Sequence, residues 1–208
     1  MSDIHIRQHK DILWLVLDRH PLNPLTTGMF DKLTATMQKA LQRPPRLIVI
    51  TGMGEQAFCS GVDLPDDTEA HRLALLDAAK NASDALEELR QRGISTVALV
   101  KGLAYGAGCE LVSMCDTVIA REDALFRLPA VNAKVFPNAV SVYLPAAIGQ
   151  AMTTRLLQSG ETLSAREAFH LGLVHQVLSA RRFLPDAEEL LVMLASVHTT
   201  SEQSTTPS

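Results

Sequence analysis

The sequence has few cysteines, no dense basic cluster and no long apolar run. Its 3 cysteines, Cys59, Cys109 and Cys115, form no Cys-x-x-Cys pair, so neither a disulfide framework nor a metal site is predicted. The 19 basic and 23 acidic residues leave a net charge of −4, which argues against a nucleic-acid partner and against electrostatic membrane binding. No apolar run could span a bilayer, and the charged segment 4–17 does not resemble a signal peptide. We therefore expect a cytoplasmic protein with no membrane partner.

What the sequence does have is enough apolar material for a sizeable core, since 47% of its 208 residues are hydrophobic. The segments 47–50, 96–100 and 117–120 are apolar without alternation, as buried parallel strands are. Helical patterns lie between and after them, as over 69–92. Strands alternating with helices predict an α/β fold with parallel strands joined by right-handed crossovers.

The expected domain organisation has three parts. Residues 1–178 form the core domain, and residues 179–198 contribute a C-terminal helix. Residues 199–208 are rich in serine and threonine, so we predict a disordered tail there.

Two predicted strands are each followed by a glycine-bearing turn, at Thr51–Leu64 and at Lys101–Asp116. The second turn leads into a short apolar helix with Glu110 near its start. The N–H groups at such a helix start can stabilise an anion, although the glycines could instead serve only close packing. In a parallel sheet both turns lie at the carboxyl ends of the strands. Each turn can then offer one N–H to a single oxygen, as in an oxyanion hole.

These segments resemble those of a known family, the enoyl-CoA hydratase/isomerase or crotonase superfamily. Ala57–Leu64 and Gly106–Leu111, the latter followed by Cys115 and Asp116, resemble its two oxyanion segments. Residues 17–25 resemble the segment that lies along coenzyme A, and 160–174 the stretch after the active site. The resemblance covers about residues 4–178. It implies the crotonase fold, in which repeated ββα units form a spiral before a helical C-terminal region, here shortened. It also implies a homotrimer or a dimer of trimers.

The resemblance assigns roles to individual residues. The backbone N–H groups of Cys59 and Ala107 would hold the oxygen of an acyl-CoA thioester as an enolate forms, and Glu110 would be the catalytic acid/base. Coenzyme A belongs to the substrate, and no other cofactor is implied. The thiols of Cys59 and Cys109 are expected only to fill space. The residues expected to contact coenzyme A or substrate are Leu22, Cys59, Gly61, Val62, Asp63, Leu64, Gly106 and Ala107.

The sequence departs from the family at the second glutamate of a hydratase, because Ala130 follows Pro129 there. A methyl group transfers no proton, so Ala130 argues against both two-glutamate hydration and the isomerase type of proton shuttle. Arg127 could stabilise an anion, Asn132 could orient water, and the Tyr105 hydroxyl could reach the site. We count Tyr105, Arg127, Ala130 and Asn132 as candidate pocket residues.

We therefore predict an enoyl-CoA hydratase-like enzyme with Glu110 as its single acid/base. Two alternatives stay open: another crotonase reaction (decarboxylase, lyase or isomerase), or a catalytically inactive acyl-CoA-binding homologue. The segment 134–140 is similar to cyclohexadienoyl-CoA hydratases of aromatic degradation, so fatty acid or aromatic acid metabolism is implied. A serine hydrolase of the related Clp-protease fold is disfavoured, because Gly106 and Ala107 occupy the place of its nucleophile.

Overall fold

The computed structural model describes residues 3–63, 66, 68–128, 135–136 and 138–201, with the backbone alone over 197–201. The strands are β1 (Ile4–His9), β2 (Ile12–Leu17), β3 (Leu47–Gly52), β4 (Ala57–Cys59), β5 (Ser95–Val100), β6 (Leu103–Tyr105), β7 (Thr117–Arg121), β8 (Leu125–Arg127), β9 (Thr162–Ser164) and β10 (Gln176–Leu178). The helices are α1 (Thr27–Gln42), α2 (Glu69–Gln91), α3 (Ala107–Met114), α4 (Leu144–Ile148), α5 (Gln150–Ser159), α6 (Ala165–Leu171) and α7 (Phe183–Ser201). A π-helical segment, Ala139–Tyr143, leads into α4, and a 3₁₀ turn, Ala180–Arg182, leads into α7.

A ββα unit repeats along the chain and builds two sheets. The six-stranded sheet has the order β1-β2-β3-β5-β7-β10, and the four-stranded sheet has the order β4-β6-β8-β9. In each of three successive units the first strand (β3, β5, β7) enters the large sheet and the second (β4, β6, β8) the small one. Both sets of three are parallel, so the predicted α/β fold of repeated ββα units is confirmed.

The sequence did not predict the four short strands of the small sheet, β4, β6, β8 and β9. β4 and β6 lie within the two segments expected to be glycine-bearing turns, and no strand was expected at β8 or β9. Each has only three residues, too few to show an alternating pattern. They exist because they pair side by side, and such pairing is not visible in local sequence.

The two faces of the large sheet are covered by different helices. On one face, Ile48 and Ile50 of β3 join the main core with residues of α1, α2 and α3. On the other, Leu47 and Val49 meet α7. The helix buries a residue at every fourth position, as one face of a helix does. These residues are Phe183, Ala187, Leu191 and Ala195.

Helix α7 continues to Ser201, past the boundary expected at residue 198. Residues 202–208 of the predicted tail lie outside the described residues. Within the described ranges, no helix is both long and apolar enough to cross a membrane.

Strands β1 and β2 form an antiparallel hairpin, with Lys10 and Asp11 as its two turn residues. Their φ angles are 48° and 60°. Positive φ at both positions matches the twist of the flanking strands, and here it is reached without glycine.

Candidate active site

The start of α3 packs directly against the end of β4. A Cβ placed on Gly108 would lie 2.4 Å from the carbonyl oxygen of Cys59 and 2.8 Å from its Cβ, so only glycine fits at this position. The residue before the helix, Gly106, has φ 54° and ψ −123°, a conformation that favours glycine. The two glycine-bearing segments singled out in the sequence are therefore in contact.

The contact between Gly108 and Cys59 places the N-terminus of α3 at the end of β4. The N–H of Glu110 donates to the carbonyl oxygen of Gly106 at 2.9 Å, which is the first hydrogen bond of α3. The N–H of Ala107 precedes it and therefore has no acceptor within the helix. Cys59 and Ala107 are buried, with 0% and 2% of their surface exposed. A ligand at this position would therefore meet their backbone N–H groups and not their side chains.

Glu110 lies one turn into α3 and is 3% exposed. Residues three apart share a side of a helix, so its carboxylate and Ala107 belong to the same side. The Oε2 atom accepts the backbone N–H of Phe136 at 2.6 Å. Phe136 is itself fixed, because it is fully buried and its ring meets the edge of Phe30 at a centroid distance of 5.5 Å. The Glu110 carboxylate is thus held in one orientation by a rigid neighbour.

The segment expected to lie along coenzyme A pairs with the chain that leaves β4. The N–H of Ser60 donates to Leu22 O at 3.0 Å, and that of Leu25 donates to Gly61 O at 2.8 Å. The N–H of Asp63 donates to Leu25 O at 2.8 Å. Leu25 and Val62 form an isolated parallel β-bridge. Four of the predicted contact residues, Leu22, Gly61, Val62 and Asp63, therefore form one continuous strip next to Cys59. Leu64 lies outside the described residues.

Asn23 holds this strip in place, a role that the sequence did not reveal. It is fully buried, and its Nδ2 donates to Met53 O and to Ala57 O, each at 2.9 Å. Its Oδ1 accepts the N–H of Arg19 at 3.1 Å. Its φ of 53° lies in the left-handed region, where asparagine is enriched among non-glycine residues. An asparagine between two prolines indicates a turn, but it does not predict these long-range bonds.

An ion pair joins the same two segments at the surface. The Arg19 guanidinium contacts the carboxylate of Asp63 and, at 3.3 Å, that of Asp3. The hydrogen bond that Arg19 donates to Asp63 has the largest influence on the pKa of Arg19; burial opposes it, and the net effect raises that pKa. With the arginine side chain 39% exposed, the pair contributes little to stability but links the two segments.

Of the four candidate pocket residues, Tyr105 and Arg127 lie next to the start of α3, and the other two lie outside the described residues. Tyr105 and Arg127 are neighbours on β6 and β8, and the N–H of Gly106 donates to Arg127 O at 2.9 Å. Tyr105 is half-buried and Arg127 is exposed. Ala130 and Asn132 lie outside the described residues.

The three cysteines, Cys59, Cys109 and Cys115, are free thiols inside the core. All three are buried, and burial is the largest effect that raises the pKa of each thiol to about 12. A pKa this high keeps the thiols protonated at neutral pH, and the thiolate is the reactive form of cysteine. Across the described part of the chain, no group of three or more His, Cys, Asp or Glu side chains is placed to bind a metal ion. That the protein needs no metal stays a prediction.

Comparison with known proteins agrees with this architecture. The sequence profile of the enoyl-CoA hydratase/isomerase family matches residues 7–206. Carnitinyl-CoA dehydratase of Proteus mirabilis (strain HI4320) is 28% identical over 197 residues, which cover 94% of this chain and 75% of that protein. The 2,3-dehydroadipyl-CoA hydratase of Escherichia coli (strain K12) is 30% identical over 202 residues, with 94% and 76% covered.

Solved structures give the same result. An enoyl-CoA hydratase subunit I from Geobacillus kaustophilus HTA426 superposes with a TM-score of 0.80 at 32% identity, over 93% of this chain and 76% of that one. DspI of Pseudomonas aeruginosa superposes with a TM-score of 0.85 over 94% of this chain and 75% of that one. Its sequence identity is 23%, so it supports the fold alone. The protein has the crotonase fold. It belongs to the enoyl-CoA hydratase/isomerase family.

Proposed function

We propose that this protein is an enoyl-CoA hydratase-like enzyme that acts on an acyl-CoA thioester through an enolate. The backbone N–H groups of Cys59 and Ala107 bind the thioester oxygen, on which negative charge develops in the transition state. The strip formed by Leu22, Gly61, Val62 and Asp63 contacts the coenzyme A portion of the substrate. The similarity to a carnitinyl-CoA dehydratase and a dehydroadipyl-CoA hydratase supports a CoA thioester as the substrate class.

The observation that supports this function best is the packing of Gly108 on Cys59. It brings the unpaired N–H at the start of α3 to the end of β4, where the second donor is expected. Two donors fixed in a buried site need no rearrangement when the charge develops, so they lower the barrier without a large cost in reorganisation.

Glu110 acts in this proposal as the single acid/base. In the hydration direction its carboxylate takes a proton from water as the oxygen bonds to the β-carbon of the enoyl group. The electrons of the double bond move onto the thioester oxygen, and Glu110 returns the proton to the α-carbon as the enolate collapses. The hydrogen bond from Phe136 at 2.6 Å would hold the carboxylate in place during both transfers.

Turnover on a panel of enoyl-CoA and 3-hydroxyacyl-CoA thioesters tests the proposal. Glu110→Gln should lower kcat by about 10²–10⁴ and leave thioester binding largely intact, because general acid–base catalysis contributes this much. Glu188→Gln, the same change at an exposed position on α7, is the matched control and should leave kcat unchanged. Equal activity of Glu110→Gln and the wild type would refute the role of Glu110.

A second candidate function follows from Ala130, which removes the second glutamate of the family pattern. A decarboxylase needs little proton abstraction, so one carboxylate suffices for it, and an acyl-CoA-binding homologue needs none. Calorimetry and turnover assays on the panel, with a 2-carboxyacyl-CoA thioester added, separate these cases. Release of carbon dioxide identifies a decarboxylase, and binding without turnover of any panel member identifies the inactive homologue. No detectable binding would rule out both.

The expected assembly and compartment are also proposals. We propose a homotrimer or a dimer of trimers located in the cytoplasm, with no cofactor beyond the coenzyme A of its substrate. Light scattering after size-exclusion chromatography measures the mass directly, and a monomer mass would refute the trimer.

A further inference from the structure

Arg90, in the last turn of α2, contacts the two elements that hold the Glu110 carboxylate. One of these is α3, which contains Glu110 itself. The other is the π-helical segment, whose first residue, Ala139, is hydrogen-bonded to Phe136. Phe136 in turn donates its N–H to the Glu110 carboxylate. Arg90 lies outside every segment that the sequence singled out for catalysis.

Toward α3, the guanidinium makes two hydrogen bonds. Its Nη2 donates to Met114 O at 2.6 Å, the last residue of the helix, and its Nε donates to Asp116 at 2.8 Å. The other oxygen of Asp116 accepts the N–H and the hydroxyl of Thr96 on β5, at 2.9 and 2.7 Å. The carboxyl end of α3 is therefore tied to both α2 and the large sheet.

Toward the π-helical segment, the guanidinium lies 4.5 Å from the centre of the Tyr143 ring. The Tyr143 hydroxyl donates to Glu87, one turn earlier on α2, and the Arg90 guanidinium is 3.6 Å from that carboxylate. Tyr143 ends the segment that begins at Ala139, whose N–H donates to Phe136 O at 3.1 Å. A π-helical turn inside a helical region is uncommon and is frequent at functional sites.

These contacts close a ring that runs from Arg90 through α3 to Glu110, across to Phe136, and back through Tyr143. We infer that Arg90 is a positioning residue, which fixes the distance between α3 and the Phe136 N–H and so orients the Glu110 carboxylate. Its importance for catalysis rests on the proposed function, but its effect on the Glu110–Phe136 hydrogen bond does not.

The chemistry of arginine suits this position. A planar guanidinium can donate along two edges and stack on a ring at the same time, which a lysine ammonium cannot do. Burial disfavours its charge, yet the hydrogen bond and charge of Asp116, together with Tyr143 and Glu87, outweigh that, and the pKa of Arg90 is raised. Shifting a catalytic group by about 1 Å can cost about 10²-fold in rate, so a modest loosening of this ring is measurable.

The test measures the Phe136 amide directly, by hydrogen exchange of the full-length protein followed by NMR. Arg90→Met and the milder Tyr143→Phe should each speed exchange at Phe136 by about tenfold or more, with amides of α1 unchanged. Glu110→Ala removes the acceptor of the Phe136 N–H, so its exchange rate at Phe136 gives the largest acceleration expected from losing this hydrogen bond. Arg92→Met is the matched control, since Arg92 lies at the same end of α2, its side chain is 64% exposed, and its guanidinium lies 3.7 Å from Glu88 on the same helix.

Unchanged protection at Phe136 would overturn the inference. So would an equal acceleration at all amides, which marks a purely global loss of stability. If the wild type turns over a thioester, Tyr143→Phe should lower kcat by about tenfold with little change in KM, as a positioning role requires. If no thioester is turned over, the proposed function fails while the exchange result still decides whether Arg90 orients Glu110.

Discussion

Gly108 and Cys59 are in backbone contact, with no room for even a methyl group between them. The contact joins the end of one short strand to the start of the helix in the next ββα unit. Since Ala107 precedes Gly108, any movement of α3 away from β4 also moves the N–H of Ala107 relative to Cys59. The spacing of the two proposed oxyanion donors therefore depends on this glycine.

Gly108→Ala should separate the two donors. An added Cβ would meet the Cys59 carbonyl at 2.4 Å, so α3 has to shift. We expect kcat/KM on the best thioester to fall by about 10²–10³, the usual effect of losing one oxyanion donor. The free energy of unfolding should fall by about 1–3 kcal/mol, as overpacking does.

Gly28→Ala is the control for this substitution, because a Cβ at Gly28 would meet nothing within 4 Å. It adds the same methyl group in α1 and should leave kcat/KM unchanged. Full activity of Gly108→Ala would show that the contact does not set the donor spacing.

Asn23→Ala should destabilise the strip that faces the proposed coenzyme A site. It leaves the buried carbonyls of Met53 and Ala57 without the Asn23 donor, and each unpaired buried group costs about 1–3 kcal/mol. We expect the free energy of unfolding in urea to fall by about 3 kcal/mol or more. Asn23→Gly keeps the left-handed backbone and should be about 1 kcal/mol less damaging than Asn23→Ala. A loss under about 1 kcal/mol in both variants would show that these hydrogen bonds are replaced.

The meeting of the two glycine segments was predictable because it follows from general rules. Buried apolar runs indicate parallel strands, and the turns at their carboxyl ends must lie on one edge of the sheet. The bond between Phe136 and Glu110 was not predictable, because it joins residues 26 apart and depends on how the π-helical segment is held. Asn23 illustrates the same limit, since its partners lie 30 and 34 residues away. Local patterns determine which elements form, whereas the contacts that orient a side chain depend on packing across the whole fold.

The three cysteines should be inert in the folded protein. Each thiol is buried and has a pKa raised to about 12, and the thiolate is the reactive species. We expect no thiol to react with Ellman's reagent at pH 8 in native buffer, and all three to react in guanidinium chloride. Reaction of one thiol in native buffer, followed by mass spectrometry of the modified peptide, would contradict the burial of that cysteine.

His175 should make the stability of the fold depend on pH near neutrality. Although the residue as a whole is exposed, its Nδ1 accepts the N–H of Val118 at 3.0 Å, which requires that nitrogen to be unprotonated. Burial lowers the pKa of His175 below its ordinary value of 6.5, and the nearby charge of Asp116 offsets this only in part. The unfolded chain then binds more protons than the folded one between the lowered pKa and 6.5, so stability rises with pH across that window. The contribution is fully present above it and is lost as the pH falls.

His175→Asn tests this, because asparagine offers an acceptor but does not titrate. Urea unfolding measured at intervals from pH 5 to pH 8 should give wild-type stabilities that fall relative to the variant as the pH drops below about 6.5. The difference between the two proteins cancels the other histidines, which titrate in both. A difference that is constant with pH, or that grows in the opposite direction, would show that the folded state tolerates a protonated His175.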